Sequence, residues 1–574
     1  MRPIWWGSSS IGEATGPAAI PAMTGEDATT MGDLAATLLR AHGVTRVFGI
    51  PGVHNLALFD GLVAHALDIT VSRHEQGAGY MADAYSRTTG KPAALALVTG
   101  PGVLNAMTPI AQAWHDSIPM LVLSSTVASE EFGEHHGTLH DTPDIAATLR
   151  PYTVFSETVR TPEQLEDAFA TVFALWRRGR PRPAYIGIPR DLLASEIPPG
   201  FAVASVVPEE PAERRGGTSA AKESLDRIRG ADSPVIYVGG GAKRDGRDIA
   251  RLAELCDVPI VLSSNAKGAV PSRHPLNAGI APVVAEGRRL LEEADLVVAL
   301  GTELSDLEYF GGSPHALRSV LRVDLDPQVV ADHPHPLSAN VRCAEWLSEV
   351  LESARDRADA TVSASRVPGS VRVRMVRDAV ARARQDDPYA EWVASVESEA
   401  RDEVVVAADS AQLAYQCHMF MDFDHPNRWL SSYGFGTLGI ALPMAVGAAV
   451  AAPDIPVVAL IGDGGLLFTV GELAAARDLG RQFTVVVWDN GGYKEIEAAF
   501  EASGSAPVGV ASGLHDAAQV AAGFGARVTV VAEPRELGTA LRSSLRRPCL
   551  TVIVVRAPRE LRVGSAVRPI LQSR

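Results

Sequence analysis

The chain has 574 residues, enough for about three or four domains of ordinary size, and its 46% hydrophobic and 21% charged content is that of a globular protein with a large core. A formal net charge of −16, with no block of clustered Lys and Arg, excludes a nucleic-acid partner, whose phosphates need concentrated positive charge. The four cysteines, Cys256, Cys343, Cys417 and Cys549, show no CxxC or ligand spacing and read as small buried hydrophobes in a reducing, cytoplasmic compartment.

Residues 1–27 open with MRPIWWGSSSIGEATG, which has one Arg, no apolar core and an acid at Glu13. This is no secretion signal, and the segment reads as a disordered extension or an upstream start. From Thr30 an amphipathic helix leads to a short strand, Arg46 to Phe48, and then to GIPGVHN, a Gly/Pro turn at its carboxyl end. The strand Ile69 to Ser72 runs into RHEQGAGYMADAYSRTTG, a helix closed by Gly90. Glu75 therefore stands at a strand-to-helix junction, where the helix N-terminus favours its carboxylate and burial favours the neutral acid. A helix-capping role and a proton-passing role are both open to it. Strands Ala93 to Val98, ending in TGPGVLNAM, and Pro119 to Ser124 continue the alternation that implies a parallel sheet over residues 28–195.

Residues 196–220 are a linker by composition. A second α/β segment, 221–353, contains SPVIYVGGGAKRDG, ADLVVALGTELSD and VLRVDLDP. Its GGGAKRDG departs from GxGxxG and lacks a convincing ribose-binding acid. The charged, small-residue stretch from Ala354 to Pro388 separates a last domain, 389–560, whose first strand, Glu403 to Ala408, ends in DSAQ. Gly434 to Pro453 is an uncharged run nominally long enough to span a bilayer, but its glycines and Pro443 favour a buried loop and helix, so no membrane partner is expected.

The most informative stretch is IGDGGLLFTVGELAAARDLGRQFTVVVWDNGGYKEI, Ile461 to Ile496. Apolar runs at Pro456 to Ile461 and Phe483 to Trp488 read as buried strands joined by a helix over Phe468 to Leu479, which is a βαβ unit. Such a crossover makes the strands parallel neighbours and carries Asp463 and Asn490 to one rim of the sheet. A carboxylate and an amide there, with glycines that let backbone approach a phosphate, suit a magnesium ion.

GDG followed 27 positions after its Asp by Asn490 resembles the signature of thiamine-diphosphate-dependent enzymes of the acetolactate synthase and 2-oxo acid decarboxylase family. The segment around RHEQGAGYMADAYSR is similar to their pyrimidine-binding domain. The resemblance implies three consecutive doubly wound parallel-sheet domains: pyrimidine-binding, central and diphosphate-binding. It implies that Asp463, Asn490 and the carbonyl of Gly492 hold Mg2+ against thiamine diphosphate, with Gly464 and Gly465 beside it. Glu75 would meet N1′ of the aminopyrimidine, Gly436 would offer its carbonyl to the 4′-amino group, Leu438 would wedge between the two rings, and Gln412 would lie near the phosphates. The implied chemistry is ylide attack on a small-molecule 2-oxo acid, loss of carbon dioxide and an enamine. Some acetolactate-synthase-like members bind FAD in the central domain; the weak glycine motif argues against it here. The family also implies a homodimer or homotetramer with active sites shared between subunits.

Departures from the family pattern bear on substrate. Val53 stands where pyruvate decarboxylases resemble one another in carrying Asp, and Val98 replaces the first-domain His of benzoylformate decarboxylase. His54, His115, His136 and His140 remain as candidate proton donors, though a histidine in an α/β loop is more often surface or structural. Glu495 matches a substrate-facing position that is small or aliphatic in better-known decarboxylases, and a carboxylate there suits a guanidinium. A solvent-facing Glu at a helix start reads the same. GIPGVH, RHEQGAG, LHD and DNGGYKEI together look like the branch containing 5-guanidino-2-oxopentanoate (2-ketoarginine) decarboxylase. The expectation is thus a non-oxidative decarboxylase; the alternatives are an acetolactate-synthase-like carboligase and, given Gly465 and Asp489 in place of more usual residues, an inactive regulatory homologue.

Overall fold

The computed structural model describes residues 29–198, 201, 218–309, 317–355, 362–513, 516–558 and 561. The expected extension over 1–27 and most of the 196–220 linker lie outside them. The chain forms two compact units, the first built from residues up to 212 with 434–454 and 469–479, the second from 213–433, 455–468 and 480–574.

The first unit carries a six-stranded parallel sheet: β1 (Arg46–Gly49), β2 (Asp68–Val71), β3 (Ala93–Leu97), β4 (Met120–Thr126), β5 (Phe155–Thr158) and β6 (Ala184–Pro189), in the order β2-β1-β3-β4-β6-β5. The central strands β3, β4 and β6 are buried along their whole length, as expected of a parallel sheet covered on both faces. The strand order reverses between β1 and β3, so the turns leaving these two strands, GIPGVHN and TGPGVLN, open the crevice where ligands bind in such sheets. The helix Glu75–Thr89 begins after Ser72, Arg73 and His74, which follow β2, and is closed by Gly90 at φ 74°.

Of the uncharged run expected to be a buried loop and helix, the helix is buried and the loop is not: Gly434 to Gly436 are exposed, whereas the helix Ala441–Ala451 packs in this unit against Glu75–Thr89, and a Cβ on Gly447 would lie 2.1 Å from the carbonyl oxygen of Met81. An all-apolar helix is stable there because a neighbouring helix of small residues covers it. Among the described residues no helix is long and apolar enough to cross a membrane.

The second unit carries two sheets. Strands β7 (Pro234–Val238), β8 (Ile260–Leu262), β9 (Leu296–Leu300) and β10 (Val320–Val323) form a four-stranded parallel sheet in the order β10-β9-β7-β8. Strands β11 (Val405–Ala408), β12 (Trp429–Leu430), β13 (Val457–Gly462), β14 (Phe483–Asp489), β15 (Arg527–Val531) and β16 (Leu550–Arg556) form the third, in the order β12-β11-β13-β14-β16-β15. This is the same winding as the first sheet, with its reversal between β11 and β13. The three parallel-sheet domains expected from the sequence are present.

Two expectations change. The stretch read from composition as a spacer, Ala354 to Pro388, contains the helix Gly369–Gln385, whose Val373, Val376 and Ala379 are buried; its charges are the outer face of an amphipathic helix. The single helix expected over Phe468 to Leu479 is two, Asp463–Thr469 and Glu472–Asp478, with Gly471 at the second N-terminus. Near the break the Thr469 hydroxyl donates to the Gly439 carbonyl at 2.7 Å. Of the cysteines, Cys256, Cys343 and Cys417 are buried and Cys549 is half-buried, all as free thiols.

Candidate active site

In the second unit the reversal of strand order brings the turn after β11 beside the turn after β13, with the end of β14 next in line. Asp463 begins its helix directly after β13 and is 1% exposed. Its Oδ2 accepts from the Ser512 hydroxyl at 2.7 Å. Burial, with a lesser push from Asp489, raises its pKa above the ordinary carboxylate value, and among the described residues no Lys or Arg pairs with it. A buried acid in that position is a place for a cation. The Asn490 side chain donates to Gln412 Oε1 at 2.9 Å and its Oδ1 accepts the Gly492 N–H at 3.2 Å. Gly492 has φ 151°, and a Cβ there would meet the Val510 carbonyl oxygen at 2.1 Å. A carboxylate, an amide and the Gly492 carbonyl, which also accepts the Lys494 N–H at 3.1 Å, are hard oxygen donors of the kind that could hold Mg2+. Among the described residues there is no group of three or more His, Cys, Asp or Glu that could hold a metal ion.

Gln412, expected near phosphate, uses its amide on protein partners: Nε2 donates to Glu495 Oε1 at 2.8 Å, and Oε1 also receives the Trp488 indole N–H at 3.4 Å. Glu495, in the first turn of the helix Lys494–Ala502, is thereby tied to Asn490 through one side chain. Gly464 lies under the Tyr493 ring, since a Cβ on it would come within 2.5 Å of Cε1; a Cβ on Gly465 would sit 3.3 Å from the Asp409 carboxyl. Asp489, an oddity in the sequence, pairs with Arg556, its register partner on β16.

In the first unit Glu75 is the first residue of its helix, half-buried, and its Oε2 accepts from Asn105 at 3.0 Å. The sequence expected a more enclosed carboxyl. The enclosed one is Glu472, 1% exposed, which accepts the backbone N–H groups of Arg73 and His74 at 3.0 Å each. It thus sits at the start of the Glu75 helix, its oxygen 2.2 Å from where a Gly77 Cβ would be. Burial pushes its pKa up to about 7 against the pull of those N–H donors. Sequence reasoning missed Glu472, although an acid amid the small apolar residues of GELAAA was a visible signal. Ser512 and Asn105 carried none.

Of the histidines, His54 and His140 come together, ring centroids 5.0 Å apart. His115 instead stacks on Phe435 at 4.9 Å, and His136 is exposed beside Glu134. Val53 is 83% exposed in the chain by itself, while a Cβ on Gly52 would contact Val98 at 2.7 Å. Gly436 takes φ 66°, and Leu438 is half-buried in the same loop.

Sequence models of thiamine pyrophosphate enzymes match all three domains: the N-terminal TPP binding domain over residues 29–148, the central domain over 221–350 and the C-terminal TPP binding domain over 409–555. The chain belongs to the thiamine pyrophosphate enzyme family. The enzyme is 35% identical over 542 residues to the probable 2-ketoarginine decarboxylase AruI of Pseudomonas aeruginosa, covering 92% of this chain and 94% of the relative. It is 28% identical to the acetolactate synthase isozyme 1 large subunit of Escherichia coli, again over 92% and 94%, and 29% identical to the acetolactate synthase of Arthrospira platensis, over 79% and 80%. Its relatives thus include a probable decarboxylase and acetolactate synthases, and its two outer domains match TPP binding domains.

Proposed function

We propose that the enzyme is a thiamine-diphosphate- and Mg2+-dependent non-oxidative decarboxylase of a 2-oxo acid with a cationic, guanidino-type side chain. The observation that carries this reading is the Glu495–Gln412–Asn490 chain of hydrogen bonds. It ties a half-buried carboxylate to the candidate metal set rather than leaving it on a solvated helix face, and a carboxylate there complements a guanidinium. Similarity to a probable 2-ketoarginine decarboxylase points the same way.

Asp463, Asn490 and the Gly492 carbonyl would hold the metal, with the backbone at Gly464 and Gly465 next to the diphosphate. When bound, thiamine diphosphate supplies an electron sink for the carbanion left by carbon dioxide. Glu75 would hold and return the proton at the aminopyrimidine, Gly436 and Leu438 would keep the cofactor bent, and His54 and His140 would face the substrate. The family's assembly, at least a dimer, goes with this reading.

Loaded with Mg2+ and thiamine diphosphate, the protein is expected to release carbon dioxide and an aldehyde from 2-ketoarginine in preference to pyruvate or benzoylformate. Equal turnover of all three would refute the cationic specificity. Similarity to acetolactate synthases along most of the chain carries a second reading, carboligation. The same assay separates the two, because a hydroxyketone would then replace the aldehyde.

A further inference from the structure

The turn after β1 holds a histidine whose protonation state follows from its neighbours. His54 is 9% exposed and lies in the short 3-10 turn Val53–Asn55. Its Nε2 is 3.1 Å from the guanidinium of Arg190, which begins the helix following β6. A guanidinium only donates, so this nitrogen carries no proton and accepts. The imidazole is then neutral with its proton on Nδ1, a buried atom without a hydrogen-bond partner among the described residues. Arg190 is itself held by both oxygens of Glu131, at 3.1 and 2.9 Å, and Glu131 in turn accepts the Ala128 N–H at 3.1 Å.

His140 has the complementary arrangement. Its Nδ1 is 3.3 Å from the Thr99 carbonyl oxygen, which can only accept, so that nitrogen carries a proton. Its backbone is left-handed at φ 68°, and the chain passes so close that a Cβ on Gly100 would lie 2.7 Å from the His140 carbonyl oxygen. His54 lies in the turn leaving β1, and His140, in the loop after β4, meets the turn leaving β3 at Thr99, where the first sheet reverses and its crevice opens.

We propose that Arg190 is a positioning residue that locks His54 as a neutral Nδ1–H donor for the carboxylate of a 2-oxo acid, beside His140. The substrate class rests on the function proposed above. Charged and titratable groups facing His54 agree with the lock: burial, Arg190 and His140 lower its pKa, and Glu131 alone opposes them.

The test is nitrogen-15 NMR of histidine-labelled full-length protein, with His54 assigned from a His54→Gln difference spectrum. In the wild type, His54 is expected to show a protonated Nδ1 and to take up a second proton only at lower pH than an ordinary histidine, because burial, Arg190 and His140 disfavour its charged form. Arg190→Met should free both tautomer and charge, and Arg190→Lys, which keeps a donor, should restore the tautomer in part. Pyruvate or 2-ketoarginine should move the Nδ1 resonance, and Arg190→Met should raise KM about tenfold with a smaller change in kcat, the size of one hydrogen bond to a charged group. A proton on Nε2 in the wild type overturns the inference, and so does a locked ring that neither 2-oxo acid perturbs. The wild-type spectrum decides even if the variants do not fold. A perturbed His54 with no aldehyde from any 2-oxo acid would sink the decarboxylase reading while leaving this one in place.

Discussion

The Gln412 amide donates to Glu495 Oε1 at 2.8 Å while its oxygen receives the Asn490 side chain at 2.9 Å. One neutral side chain therefore carries information from a helix carboxylate to the rim of the third sheet. If Glu495 reads a cationic substrate, Glu495→Leu should lower kcat/KM for 2-ketoarginine by about 10- to 100-fold, the value of a hydrogen bond to a charged group, with aliphatic 2-oxo acids little changed. Unaltered selectivity would remove this residue from the pocket.

Metal binding should depend on Asp463 and, less strongly, on the hydroxyl that orients it. Ser512 donates to Asp463 at 2.7 Å, and losing such an outer partner typically weakens a metal site by about 10- to 100-fold. Calorimetric titration of stripped protein with thiamine diphosphate and Mg2+ should show that loss in Ser512→Ala and a larger one in Asp463→Ala. Stripping Mg2+ with a chelator should mimic the second variant. Wild-type uptake by Asp463→Ala would refute the assignment of the metal set.

Glu472 makes stability depend on pH with a definite sign. Its carboxyl has a pKa of about 7 in the fold against an ordinary 4.5, so the folded state keeps a proton that the unfolded chain releases. This contribution is fully present below pH 4.5 and is lost as pH rises through about 7. Thermal melts of wild type and Glu472→Gln, whose side chain never titrates, should diverge over that window, the wild type losing Tm relative to the variant between pH 5 and pH 8. Parallel curves would mean that this acid is ionised throughout.

Gly447 tests the helix contact. An Ala there gains helix propensity of up to about 1 kcal/mol, but its Cβ would lie 2.1 Å from the Met81 carbonyl oxygen. Overpacking of this kind costs about 1–3 kcal/mol, so Gly447→Ala should lower stability in denaturant titrations. An increase would show that the two helices move apart freely.

The alternation of short branched runs with helical stretches was enough to place Asp463 and Asn490 on one rim, because a parallel crossover returns successive strands to the same end of a sheet. The buried helix Ala441–Ala451 and the Glu75 helix with its Gly90 stop were legible for the same local reason, since periodicity and caps act over a few residues. What the folded chain alone decided are the partners: Ser512 for Asp463, Glu495 for Gln412, Arg190 for His54 and Glu472 for the His74 N–H, separated by 49, 83, 136 and 398 residues. No local pattern announces such pairs. They arise where strands far apart in sequence end side by side, and there a hydroxyl, an amide or a buried acid settles which neighbouring group keeps its proton or its charge.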